Sequence, residues 1–193
     1  MKRTMSTLFG AALLSAGGLG TAAEIDVMTQ NQYLGADLAP VLAAATTTPF
    51  DAAAFNEAIV AALSRIAAAR PGERAQALAA GIAQRKPDVV GLQEAYRFAC
   101  LPYPDVPVPP GRGCDDPDIK GAFSDQLANT LAALRGKYAL AGKVTNLQVA
   151  AIPFWVNGFP ALLSLEDRDA ILVRNGLTAQ PVSFAATSWL CSK

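Results

Sequence analysis

A chain of 193 residues, 52% hydrophobic and 17% charged, is long enough to bury one core, too short for two full domains, and unlike a disordered or highly charged polymer. Its 16 basic and 16 acidic side chains cancel, and taking Lys2 and Arg3 away with an N-terminal leader leaves 14 against 16, so the basic excess that holds long nucleic acid is missing. The chain contains no histidine, which argues against a serine or cysteine nucleophile activated by the usual imidazole base.

Lys2 and Arg3, the apolar run from Leu8 to Gly20 and the small residues Thr21, Ala22 and Ala23 predict a signal peptide over 1–23 and export to the periplasm or beyond. That run is too short to span a bilayer, and Asn56, Glu57 and Arg65 interrupt the later Ala-rich segment, so no membrane span is expected. The rest, 24–193, reads as one domain.

Ile25, Val27 and Thr29 alternate with Asp26, Met28 and Gln30, which predicts a strand over 24–32. Thr48-Pro49 supplies a capping hydroxyl and a first-turn proline for a helix, with Phe55, Ile59, Leu63 and Ile66 at helical spacing and an end near Arg70-Pro71-Gly72. A second helix is expected from Glu73 to Gln84, presenting Leu78 and Ile82 and stopping at Lys86-Pro87.

The run Asp88-Val89-Val90-Gly91-Leu92-Gln93-Glu94 is apolar until its last residues, as expected of a buried strand whose end emerges at a surface. Prolines and glycines fill 98–118, predicting a long loop of the kind that often borders a substrate. Cys100 and Cys114 bracket it; in an exported chain they form a disulfide or remain two loop thiols, and Cys191 is left over. Phe123, Leu127, Leu131 and Leu134 predict a further helix ending at Gly136, followed by strand-like runs at 138–152, Ala170–Val173 and Val182–Ala185. The order predicts a layered α/β or α+β domain with helices covering central strands.

Two strand ends carry oxygen ligands. The Glu94 carboxylate suits a hard cation such as Mg²⁺ or Mn²⁺, and the Asn31 amide can hold a phosphate oxygen or orient a metal-bound water. Taken singly, Asn31 also reads as a turn former and Glu94 as a solvated strand end.

In this order and with helices between them, Val27-Met28-Thr29-Gln30-Asn31 and Pro87 to Glu94 resemble two segments of the endonuclease/exonuclease/phosphatase family, which includes DNase I-like nucleases. The resemblance implies a Mg²⁺ ligand at Glu94, an active-site asparagine at Asn31, hydrolysis of a phosphate ester, and the early part of a two-sheet β-sandwich flanked by helices. Glu166-Asp167-Arg168-Asp169-Ala170-Ile171-Leu172-Val173-Arg174 looks similar to the family's next strand, with Asp169 and Arg168 as readily structural as catalytic.

The departures are as informative. The family sets a histidine from a late Ser-Asp-His-type motif against the scissile phosphate and activates water through a Gly-Asp-x-Asn segment, and neither motif occurs here. Because phosphoryl transfer needs positioned donors and an oriented water beside the metal, the expectation is a truncated domain with little turnover of its own. A non-catalytic secreted binding protein on the same scaffold, and a non-functional gene fragment, are the competing readings.

Overall fold

A computed structural model describes residues 24–179, a mixed α/β fold of one five-stranded sheet and four α-helices among those residues. The signal-peptide segment 1–23, the strand-like run at Val182–Ala185 and Cys191 lie outside the described residues. Among the described residues no single helix is long and apolar enough to cross a membrane.

Strand β1 (Val27–Asn31) leads through helices α1 (Ala39–Thr46), α2 (Ala52–Ala68) and α3 (Pro71–Arg85) to β2 (Val89–Gln93), which lies parallel to it. The expected helix from Thr48 starts later. Asp51 caps α2 by accepting from the backbone N–H groups of Ala53 and Ala54 at 2.9 and 3.0 Å, satisfying two of the first turn's free donors with one carboxylate oxygen. Ile59, Leu63 and Ile66 of α2 are buried as their spacing predicts.

Helix α3 starts two residues before the expected Glu73, with Pro71 in its first turn, and ends at Lys86, whose left-handed backbone (φ 54°) lets its N–H return to the Ile82 carbonyl at 2.8 Å. Its buried face runs through Ala75, Ala79 and Ile82, and the small side chains let α3 pack against α4 (Gln126–Ala133). Helix α1 is additional to the expected elements; none of its residues is buried, so its sequence carries no strong apolar stripe.

The expected loop over 98–118 begins as a strand. Residues Arg97–Pro102 form β3, in which Phe98 is buried, and only then does the chain turn through short 3₁₀ segments at Gly113–Asp115 and Lys120–Ala122. The proline-rich composition hides β3 because Pro102 comes at its last position, where a missing N–H costs least. Cys100 and Cys114 are joined by a disulfide that ties β3 to the first of those turns.

The remaining strands are longer than their apolar runs. Strands β4 (Tyr138–Val156) and β5 (Phe159–Arg174) form one antiparallel hairpin about Asn157-Gly158, both at positive φ, the backbone that a two-residue hairpin turn of this sequence adopts. Along its other edge β5 pairs antiparallel first with β3 and then with β2, so β2 and β3 lie end to end beside one strand.

Two buried clusters hold these elements. One joins Val90, Leu92 and Leu172 of the sheet to α3 and α4; the other joins Phe98, Phe154 and Leu163 to α2. On a strand alternate residues face opposite ways, so the side carrying Ile171, Val27 and Val144 is left exposed.

Candidate functional site

The junction between β2 and β3 is where chemistry-bearing side chains gather. Pairing with β5 stops at Leu92 opposite Ala170 and resumes at Arg97 opposite Glu166, leaving residues 93–96 to face the shorter stretch 167–169. The surplus residue makes a bulge, a device that re-aims side chains. Glu94 absorbs the bend with a left-handed backbone (φ 53°), a conformation uncommon for a residue with a Cβ.

Hydrogen bonds fix the bend. The Ala95 N–H donates to the Arg168 carbonyl at 2.8 Å, the Tyr96 N–H to the Glu94 carbonyl at 2.9 Å, and the Glu94 N–H approaches Oδ1 of Asp169 at 3.4 Å. On the far edge of β5 the register with β4 slips between Thr145 and Leu147, which places Asn146 in a second bulge at the same level.

Asp167 lies within reach of the charges of Asp169 and Glu94. Burial pushes the Asp167 carboxyl above its ordinary value, and Asp169 and Glu94 push it further, against the opposing hydrogen bonds from Asn146 and the Arg168 backbone. Oδ1 of Asp167 is buried and has no hydrogen-bond partner. Tyr96 is affected too: burial, then Asp167, then Glu94 raise its phenol to about 12.

Arg168, an alternative catalytic candidate on sequence grounds, is structural. It is 4% exposed, donates from Nε to the Ala95 carbonyl at 3.0 Å, and grips both carboxylate oxygens of Asp125 at 2.6 and 3.1 Å. Asp125 in turn caps α4 by accepting from the Ala128 N–H at 2.9 Å. Burial alone would raise the Asp125 carboxyl, but hydrogen bonds from Arg168 and Ala128 and the charges of Arg168 and Arg97 hold it below its ordinary value.

Asn31 and Glu94 come to the same end of the parallel pair, since Asn31 is in register with Gln93. Asn31 accepts the Tyr33 N–H on its Oδ1 at 2.7 Å, a local turn that leaves its amide nitrogen and one lone pair of that oxygen for a ligand. Asp88, first in the apolar run, works at the other end of β2, where it accepts from the Asp26 N–H at 3.0 Å and pairs with Arg174.

The donor chemistry fits a hard cation held through one or two carboxylates with water completing its shell, the usual arrangement for Mg²⁺, and the unpartnered Asp167 oxygen is one place for it. A dedicated cage is not present: among the described residues no three His, Cys, Asp or Glu side chains are grouped as a metal site. Asp167, Tyr96 and Asn146 escaped the sequence reading, though the acidic run from Glu166 to Asp169 marked the place.

No family model, curated protein or solved structure matches the chain.

Proposed function

We propose that this chain is an exported, Mg²⁺- or Mn²⁺-binding protein of the endonuclease/exonuclease/phosphatase type that binds a phosphate ester and hydrolyses it poorly. The observation carrying this reading is the bulge that sets Glu94, its backbone N–H 3.4 Å from Oδ1 of Asp169, beside the 167–169 stretch at the carboxyl end of parallel strands β1 and β2, the end at which α/β sheets usually bind ligands. The resemblance over Val27–Asn31 and Pro87–Glu94 supports the family; the sheet face with Val27, Ile171 and Val144, open among the described residues, is the kind of face that the second layer of a sandwich would use. The leader-like residues 1–23 and the Cys100–Cys114 disulfide support export, because disulfides persist in oxidising compartments.

In this reading Glu94 and Asp167 hold the cation, which supplies charge neutralisation at the phosphoryl oxygens. Asn31 donates its amide to a non-bridging phosphate oxygen, and Asp169 braces the bend by accepting from the Glu94 backbone. Tyr96 stays protonated at neutral pH and serves as a donor rather than as a base. With no histidine in the chain, proton transfer at the attacking water is undersupplied, so binding outlasts turnover.

Calorimetric titration of Mg²⁺ and Mn²⁺ into the purified chain, beside an assay of bis(p-nitrophenyl) phosphate hydrolysis, tests this. Saturable metal binding that Glu94→Gln abolishes, with negligible hydrolysis, is the expected result. Absence of metal binding overturns the site, and robust Mg²⁺-dependent cleavage abolished by Glu94→Ala overturns the claim of poor turnover. The same missing histidine favours the binding-protein reading, which phosphate-ester affinity without any hydrolysis would select.

A further inference from the structure

The turn that follows β1 is held in a way that bears on Asn31. Tyr33 stands at φ 50°, an uncommon backbone for a residue with a Cβ, and such a conformation persists only where its surroundings over-determine it. Arg74, from α3, supplies that constraint. Its Nη2 donates to the carbonyls of both Gln32 and Tyr33, the latter at 2.6 Å, and its guanidinium carbon lies 5.4 Å from the centre of the Tyr33 ring. Gln126 of α4 adds its Nε2 to the Tyr33 carbonyl at 3.4 Å, while its own backbone N–H reaches the Tyr96 carbonyl at 3.0 Å. The Gln32 N–H donates to the Gln93 carbonyl at 2.8 Å. The turn is thereby tied to both sides of Glu94.

Arg74 itself has little freedom. Gly35, at φ 106°, passes so close that a Cβ there would stand 3.3 Å from Nη1 of Arg74 and 2.9 Å from Cβ of Ala69. Glycine lets the backbone close over the guanidinium, and Nη1 is buried. One confined cation thus fixes two successive carbonyls.

What the turn delivers is the Tyr33 N–H, which donates to Oδ1 of Asn31 at 2.7 Å. A carboxamide has an acceptor end and a donor end, so pinning the oxygen decides where the nitrogen points. Without that bond the Asn31 amide can turn over and set its oxygen against an anion. We propose that Arg74 is a positioning residue for phosphate-ester binding: through the Tyr33 turn it holds the Asn31 amide with Nδ2 toward the phosphoryl oxygen, without touching the ligand itself. The inference rests on the reading that Asn31 donates to that oxygen. Its support is an unbroken path, from Arg74 to the Tyr33 carbonyl and from the Tyr33 N–H to Asn31. Arg74 and Asn31 also line one cavity of about 420 Å³, so an arginine that attracts the anion directly is the role to be told apart.

A double-mutant cycle separates the two. Dimethyl phosphate is titrated into the purified full chain with Mg²⁺ present, and binding is followed by heteronuclear NMR. Arg74→Met and Asn31→Ala each weaken binding about tenfold, and the double variant binds no more weakly than Asn31→Ala alone, because Arg74 acts only through Asn31. Mg²⁺ affinity in Arg74→Met stays that of the wild type. Losses that add in the double variant overturn the proposal, since they place the arginine charge on the ligand; so does wild-type binding by Arg74→Met. Nitrogen relaxation of the Asn31 side chain gives a reading on the wild type alone: its amide is as rigid as the β1 backbone, and it becomes mobile in Arg74→Met. A freely rotating Asn31 amide in the wild type overturns the proposal even where a variant fails to fold. Failure of the underlying reading looks different, for the wild type then takes up no dimethyl phosphate while its Asn31 amide stays rigid, and the role of Arg74 falls with it.

Discussion

Arg168 fastens Asp125 to the bend between β2 and β3: one guanidinium holds both oxygens of the Asp125 carboxylate and, through Nε, the carbonyl of Ala95. The start of α4 and the strand junction that carries Glu94 are thus positioned by a single buried cation. Arg168→Ala removes it and leaves the Ala95 carbonyl and Asp125 without their partner. The expected loss is roughly 2–3 kcal/mol, below the ~3–5 kcal/mol of a fully buried pair because Asp125 keeps part of its surface in water. Urea denaturation gives the value directly.

The same pair sets an acid limit. The folded Asp125 carboxyl lies below its ordinary 3.8, so its contribution is complete above the unfolded value and disappears as pH falls through the folded one. Wild-type stability therefore drops on acidification below about pH 4, and the Asp125 part of that drop is absent in Arg168→Ala. Parallel pH titrations of the melting temperature of the two chains measure the difference.

Asp167 works in the opposite direction. Its folded carboxyl is raised above 3.8, by burial first and then by Asp169 and Glu94, so the fold favours the protonated form. The stabilisation is complete below the unfolded value and is lost as pH rises through the folded one, which leaves the ionised group a liability at neutral pH. Asp167→Asn accordingly melts higher than wild type at pH 7 without metal, with the gap closing toward about pH 3. Added Mg²⁺ raises the melting temperature of the wild type and has little effect on the variant, since a ligand stabilises only the chain that binds it. A variant that melts lower at neutral pH would show that Asp167 holds the bulge together rather than straining it.

Half of this site was legible in the sequence. Glu94 stands out because an apolar strand ends on it, and Asn157-Gly158 between apolar residues carries the signal of the hairpin that joins β4 to β5. Asp167 could not be found in the same way. Its role depends on β2 and β3 lying end to end along β5 with one residue too many, and no local pattern at 167 encodes what happens at 94–96.

The Cys100–Cys114 disulfide joins positions 14 apart in the chain around the proline-rich segment and fastens β3, which pairs only with β5 among the described strands. Closing a loop of this size limits the unfolded chain by about 3 kcal/mol. Replacing both cysteines by serine lowers the melting temperature by about 10 °C, and reduction of the wild type lowers it by a similar amount. A much smaller shift would mean that the unfolded chain already keeps this segment compact.

Ile171 lies opposite Gly91 and Gly142 on the sheet face turned away from the helices, 51% exposed, on the same side as Val27 and Val144. Exposed apolar surface on a sheet promotes association. Because the glycines on either side offer Ile171 no side-chain contacts, Ile171→Lys changes stability by no more than about 0.5 kcal/mol. Its effect falls on solubility: light scattering of the variant shows less self-association than wild type at equal concentration. Loss of stability well beyond that limit would mean that this face is covered in the folded protein, and Ile171 would then belong to a core rather than to an open surface.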